Sequence, residues 1–141
     1  MLRVTVLCQG RLKEPYYADA CREYLKRLGA WCRAEVMELP EDGDIAGHIP
    51  KGVYVIALCI EGEKLSSPAL AAKLDALANR GVSHICFLIG GSEGLPKAAK
   101  SRADFSLSMS DMTFPHHLAR VMLLEQLYRA LSISAGMKYH K

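Results

Sequence analysis

The sequence predicts an α/β fold, a single layered domain built on a mostly parallel sheet. Three observations lead there. Apolar runs of strand length alternate with amphipathic segments of helix length along the whole chain. Two of those runs, 53–60 and 82–89, are apolar at most positions, as strands covered on both faces are. The second breaks into Gly90-Gly91-Ser92-Glu93-Gly94-Leu95-Pro96 ahead of a helical segment, the way a βα unit presents its backbone to a ligand.

The elements follow in order. Residues 2–8 read as a strand closed by a turn at Gln9-Gly10. Pro15 suits the first turn of a helix that runs to Leu28, before Gly29. Its apolar positions Tyr17, Ala20, Cys21, Tyr24 and Leu28 trace one face. Residues 32–39 suggest a second strand, with Ala34, Val36 and Glu38 on one side and Met37 and Leu39 as their counterparts. The stretch 40–52, rich in Gly, Asp and Pro, reads as a loop. After the run 53–60, Ser66-Ser67-Pro68 caps a helix through Asn79, with Leu70, Leu74 and Leu77 inward and Gly81 as its stop. Past the glycine loop come a short helix at 97–102, a short strand at 105–108 and a long helix from Pro115 to Ile133.

Composition narrows the function classes. The chain has 141 residues, enough for one core, and half of them are hydrophobic. No apolar run approaches the roughly 20 residues of a membrane span. The start lacks a secretory signal pattern, so a cytoplasmic protein is expected. Five scattered cysteines read as reduced, packed thiols, and no metal site is expected. A net charge of +3 permits an anionic partner without demanding one.

The glycine loop comes after three strand-like runs, whereas a dinucleotide-binding domain carries its loop after the first. A second unusual segment, Met109-Ser110-Asp111-Met112-Thr113-Phe114-Pro115-His116-His117, follows about twenty residues later. On the last helix, Glu125, Gln126, Arg129 and Ser132 gather in one polar stripe, and Glu125 and Arg129 are spaced to pair. The rest of its surface is apolar, which requires cover on more than one side. A homodimer is the economical expectation. Arg120 projects into the apolar side, where a guanidinium snorkels to solvent, pairs with a carboxylate across the dimer, or waits for an anion.

Together these residues resemble the RlmH family of SPOUT-class methyltransferases. The resemblance rests on Leu88-Ile89-Gly90-Gly91-Ser92-Glu93-Gly94-Leu95, Ser110-Asp111-Met112-Thr113-Phe114-Pro115-His116, Arg120-Val121, Glu125-Gln126-Leu127-Tyr128-Arg129-Ala130 and Tyr139-His140-Lys141. Glu23-Tyr24-Leu25-Lys26-Arg27 matches the family's first helix, so nearly the whole chain is covered. It implies one SPOUT domain over residues 1–141, with helices on both faces of the sheet and a C-terminal trefoil knot. It further implies an S-adenosyl-L-methionine (SAM) cofactor and a homodimer joined across the knotted helices. The implied reaction methylates N3 of a pseudouridine in the helix 69 loop of 23S rRNA, on assembled ribosomes. A SPOUT enzyme acting on tRNA and a non-catalytic ribosome-binding SPOUT protein are the alternatives.

Matched residue by residue, Leu58, Gly90, Gly91, Met109, Ser110, Asp111, Met112, Thr113 and Phe114 are the implied cofactor contacts. Tyr139 and His140 are implied to position the target base, and Arg120 to hold a phosphate or base carbonyl. Taken singly, His116 reads as a helix-start residue held by caps and solvent, and His117 as a surface residue. Two departures from the family pattern stand out: Cys59 replaces an acidic residue, and 40–52 is short. Arg11, Lys13, Arg22, Lys26, Arg27, Lys138 and Lys141 offer a candidate RNA face, though each alone is an ordinary solvated cation.

Overall fold

The computed structural model describes residues 1–141. Its elements are β1 (Leu2–Gln9), α1 (Pro15–Leu28), β2 (Cys32–Leu39), a 3-10 turn (Ala46–His48), β3 (Tyr54–Lys64), α2 (Ser67–Asn79), β4 (His84–Ile89), α3 (Lys97–Lys100), β5 (Phe105–Ser108) and α4 (His116–Ser134). The five strands form one sheet in the order β2-β1-β4-β3-β5. Every strand pairing is parallel, so the expected sheet is present.

Strand alternation divides the apolar residues between two clusters. Val4, Val6 and Cys8 of β1, Ile56 of β3 and Ile85, Phe87 and Ile89 of β4 join the buried residues of α1, α2 and α4. Leu7, Val55, Ala57, Cys86 and Leu88 join Leu39, Ile45, Ile49, Leu95 and Ala99 in the other. Ile45 and Ile49 flank the 3-10 turn, so the loop at 40–52 is anchored by two buried side chains. α1 starts with Pro15 at its first turn and ends with Lys26 and Arg27 in its last, both favourable to the helix dipole. Ser66 accepts from the Ala69 N–H at 3.1 Å to cap α2, and Gly81 (φ +90°) follows its end.

α4 packs against both α1 and α2. That sandwich covers more of its circumference than the sheet alone would, and explains much of its apolar character within one chain. Leu123, Leu124, Leu127 and Ala130 are fully buried, each leucine contributing roughly 2 kcal/mol. The polar stripe is not a solvated face. Ser132 is buried, Gln126 accepts from the Ser67 hydroxyl at 2.6 Å, and Arg129 pairs with Glu125 at 2.8 Å.

β3 extends four residues past the expected end at Ile60, into Glu61-Gly62-Glu63-Lys64. Its pairing with β5 shifts register between Leu58 and Glu63. Gly62 permits this crossing, because a Cβ there would lie 2.7 Å from the Ser106 backbone.

Candidate functional site

A cleft of about 750 Å³ opens at the carboxyl ends of β4 and β5, beside the middle of β3, on the side where ligands bind in parallel α/β sheets. The middle of β3 contributes Leu58, Cys59 and Ile60, the last residue of β4 and the loop after it contribute 89–95, and the end of β5 with the segment after it contributes 107–110 and 112–116. Half of the lining residues are hydrophobic, and the volume falls in the range of small-molecule sites. Leu58, Gly90, Gly91, Met109, Ser110, Met112, Thr113 and Phe114, all named from sequence, come together here. Asp111 does not line it. It is exposed and pairs with Lys64 at 2.6 Å.

The glycine loop is closed by its own chain. Gly91 N–H donates to the buried Gln9 side chain at 3.3 Å, and Ser92 N–H donates to Glu41 at 2.9 Å. Gly94 N–H donates to Gly91 at 3.0 Å. These amides are already partnered, and a carboxylate stands among them, so the loop is not a phosphate cradle. It is a wall. A Cβ on Gly90 would sit 2.4 Å from the Gly94 and Leu95 backbone, which explains glycine there. Glu41 was not singled out from the sequence, where it looks like one more acidic loop residue. The Ser92 N–H, more than the Ser92 hydroxyl and the nearby His116 and His117, holds its carboxyl below the ordinary range.

Arg120 lies behind this wall, 1% exposed, and does not line the cleft. Its guanidinium donates to the Glu38 carboxylate at 2.5 Å and to the Gly10 carbonyl at 3.1 Å, while its Nε has no partner. The carboxylate comes from this chain's own β2. Burial opposes the charge on Glu38, but the Leu12 N–H (2.9 Å) and Arg120 outweigh it and hold its carboxyl low. His117 is not a surface residue: its side chain is 14% exposed and faces Glu14 at 3.2 Å. His116, at the first position of α4, lines the cleft. Cys59 also lines it, its thiol pushed up by burial and by Glu61.

Tyr139 and His140 are ordered against α4 rather than placed in the cleft. The Tyr139 hydroxyl donates to Glu125 at 2.8 Å, and its ring packs edge-on against Tyr128 at 4.7 Å. Burial and the Glu125 carboxylate push the Tyr139 phenol well above its usual range. His140 Nδ1 lies 3.2 Å from Arg129, whose guanidinium covers the Tyr139 ring at 4.7 Å. Glu125 also lines a second cleft of about 460 Å³ between α4, the start of α2 and the end of β5.

Comparison with known proteins fits this geometry. Residues 2–140 match the family described as predicted SPOUT methyltransferases. The protein called ribosomal RNA large subunit methyltransferase H from Bifidobacterium adolescentis is 45% identical over 159 aligned positions, covering 99% of this chain and all of that one. The protein of the same name from Clostridium novyi is 42% identical over the same span. Among solved structures, a probable methyltransferase from Bordetella pertussis superposes with a TM-score of 0.62 at 14% identity, covering 92% of this chain and 96% of that one. A probable methylase family protein from Haemophilus influenzae gives 0.61 at 12% identity, covering 99% of this chain and 70% of that one. These two show a shared fold. With the family match over nearly its whole length, this chain belongs to the SPOUT methyltransferase family.

Proposed function

We propose that the chain is a SAM-dependent methyltransferase that modifies N3 of a pseudouridine in the helix 69 loop of 23S rRNA, on assembled ribosomes in the cytoplasm. The observation that carries the reading is the convergence of the glycine wall, Leu58–Ile60 of β3, and residues 109, 110 and 112–114 on one half-apolar cleft. The names of the full-length relatives supply the ribosomal RNA substrate. On this reading residues 1–141 form one SPOUT domain, with helices on both faces of the sheet. The segment after β5 threads through the preceding chain as a trefoil knot. The register shift of β3 against β5 and the close passage of Gly62 support such a crossing.

The cleft fits SAM. Gly90 removes the Cβ that would hold the loop open, and Leu58, Met112 and Phe114 supply apolar walls. Gly91, Met109, Ser110 and Thr113 complete the contact set, with backbone groups to recognise an adenine edge. Asp111, from its place beside Lys64, fixes the segment at the rim. The bound cofactor supplies an electrophilic methyl group on a sulfonium. The chain's part is to hold that methyl in line with a ring nitrogen and exclude water.

Two copies pair across α4, whose Val121, Met122, Leu131 and Ile133 remain half-buried in one chain. Tyr139 and His140 line no part of the cleft in their own chain. They reach the RNA base at the cleft of the facing copy, by stacking and hydrogen bonding. Arg120 acts at one remove, as a positioning residue that locks the first turn of α4 to Gly10 and Glu38. Titration calorimetry with SAM, beside sedimentation of the chain, tests this reading. One cofactor bound per cleft in a dimer supports it, and no heat of binding to the folded chain contradicts it.

A further inference from the structure

Of the residues lining the cleft, only Cys59, Glu93 and His116 have side chains that titrate in the ordinary sense. Methylating a uracil-type ring nitrogen requires that nitrogen to lose its proton. The Cys59 thiol is held protonated by burial, so it has no free pair strong enough to serve. Glu93 is an exposed loop residue at the open rim, where water rather than a base surrounds its side chain. His116 remains.

Its surroundings suit the task. It opens α4, where the positive end of the helix disfavours an added charge. Its ring packs edge-on against His117 at 4.2 Å. His117 is itself taken by Glu14, which leaves His116 as the imidazole facing the cleft. Burial first, then His117 and Arg120 on the same helix, hold the His116 imidazole below its ordinary 6.5, against the opposing pull of Glu41 and Glu14. At neutral pH it is uncharged and free to accept.

We propose that His116 is the proton acceptor of the methyl transfer. This rests on the function proposed above. The N–H bond of the target base breaks toward a His116 ring nitrogen, and the electron pair left on the base nitrogen forms the new bond to the methyl carbon. The methyl–sulfur bond breaks with its pair kept on sulfur, leaving a neutral thioether, and the imidazolium returns its proton to water. Glu41, fixed by Ser92 between the glycine loop and the histidine pair, favours the imidazolium as it forms. It is a positioning residue.

The test compares His116→Gln with the unaltered chain in three readouts. In the cofactor-free protein, the imidazole resonance missing from His116→Gln should titrate below 6.5; titration above neutrality overturns the proposal. SAM affinity, by calorimetry, should change less than about threefold. Turnover on ribosomes should fall by about a hundredfold or more and lose its acid limb, with partial recovery of His116→Ala by added imidazole. If the unaltered chain transfers methyl groups and His116→Gln retains more than a third of the rate with the same pH profile, His116 is not the acceptor and the methyltransferase reading stands. If the unaltered chain binds cofactor but methylates no RNA, that reading falls and the acceptor falls with it.

Discussion

The Arg120 guanidinium is 1% exposed and meets the Glu38 carboxylate at 2.5 Å, while Glu38 itself keeps about a third of its side chain in solvent. The pair is therefore asymmetric. Removing Glu38 strands a buried cation, whereas removing Arg120 leaves a carboxylate that water can reach. Glu38→Gln should destabilise the fold by about 2 kcal/mol, more than Arg120→Met, as read from urea midpoints. The reverse order would place the stabilisation in the Arg120 bond to the Gly10 carbonyl instead.

Acid should weaken the fold in two stages. The His84 imidazole, beside the Thr5 hydroxyl at 2.8 Å, is held below 6.5 by burial and by Arg3. A depressed value means the folded state binds the proton less well than the unfolded chain. Its stabilisation is therefore full above about pH 6.5 and is lost as pH falls through the lowered value. The Glu38 contribution follows the same sign below its ordinary 4.5. Urea midpoints at pH 7.5 and 5.5 should differ in the unaltered chain, and by less in His84→Asn.

The two neighbouring glycines should separate in binding assays. A Cβ at Gly90 meets backbone 2.4 Å away, which cannot turn aside. At Gly91 it meets the end of the Glu41 side chain at 2.2 Å, which can. Gly90→Ala should weaken SAM binding by at least about tenfold, a loss near 1.4 kcal/mol. Gly91→Ala should cost less, and nothing further in a Glu41→Ala background, a coupling that a double-mutant cycle reads directly.

The tail should be detachable without unfolding. Tyr139→Phe removes the hydroxyl bonded to Glu125, a contribution of about 1 kcal/mol at a half-buried site. Amide exchange at 137–141 should quicken while the sheet stays protected. Turnover on ribosomes should drop more than cofactor affinity. An equal fall in both would mean that the tail only props the cleft.

Much of the fold could be read from residue patterns. The apolar stretches at 53–60 and 82–89 mark central strands because both faces are covered, and Ser66 and Pro15 mark helix starts through backbone chemistry that is local in sequence. The glycine loop and the 109–117 segment stood out by pattern alone, but their role as cofactor contacts, and Leu58 altogether, were legible only through resemblance, since Leu58 and Met112 look like any apolar side chains. What sequence missed are long-range partners. Glu38 and Glu41 read as ordinary acids until folding sets them against Arg120, eighty-two positions away, and Ser92, fifty-one away. The extension of β3 was hidden because Glu61 and Glu63 interrupt an apolar pattern that edge pairing does not require. Ser132 misled in the opposite direction: its hydroxyl belongs to a polar stripe on the helical wheel, yet α4 is enclosed on that side.

The most direct measurement supplies labelled SAM and the purified chain to ribosomes that lack the modification, in parallel with free 23S rRNA and tRNA, and maps the label by mass spectrometry. Label on N3 of a pseudouridine in 23S rRNA, strongest with intact ribosomes, is the expected result. A folded, cofactor-binding chain that leaves all three unlabelled, or that labels only tRNA, would contradict the account.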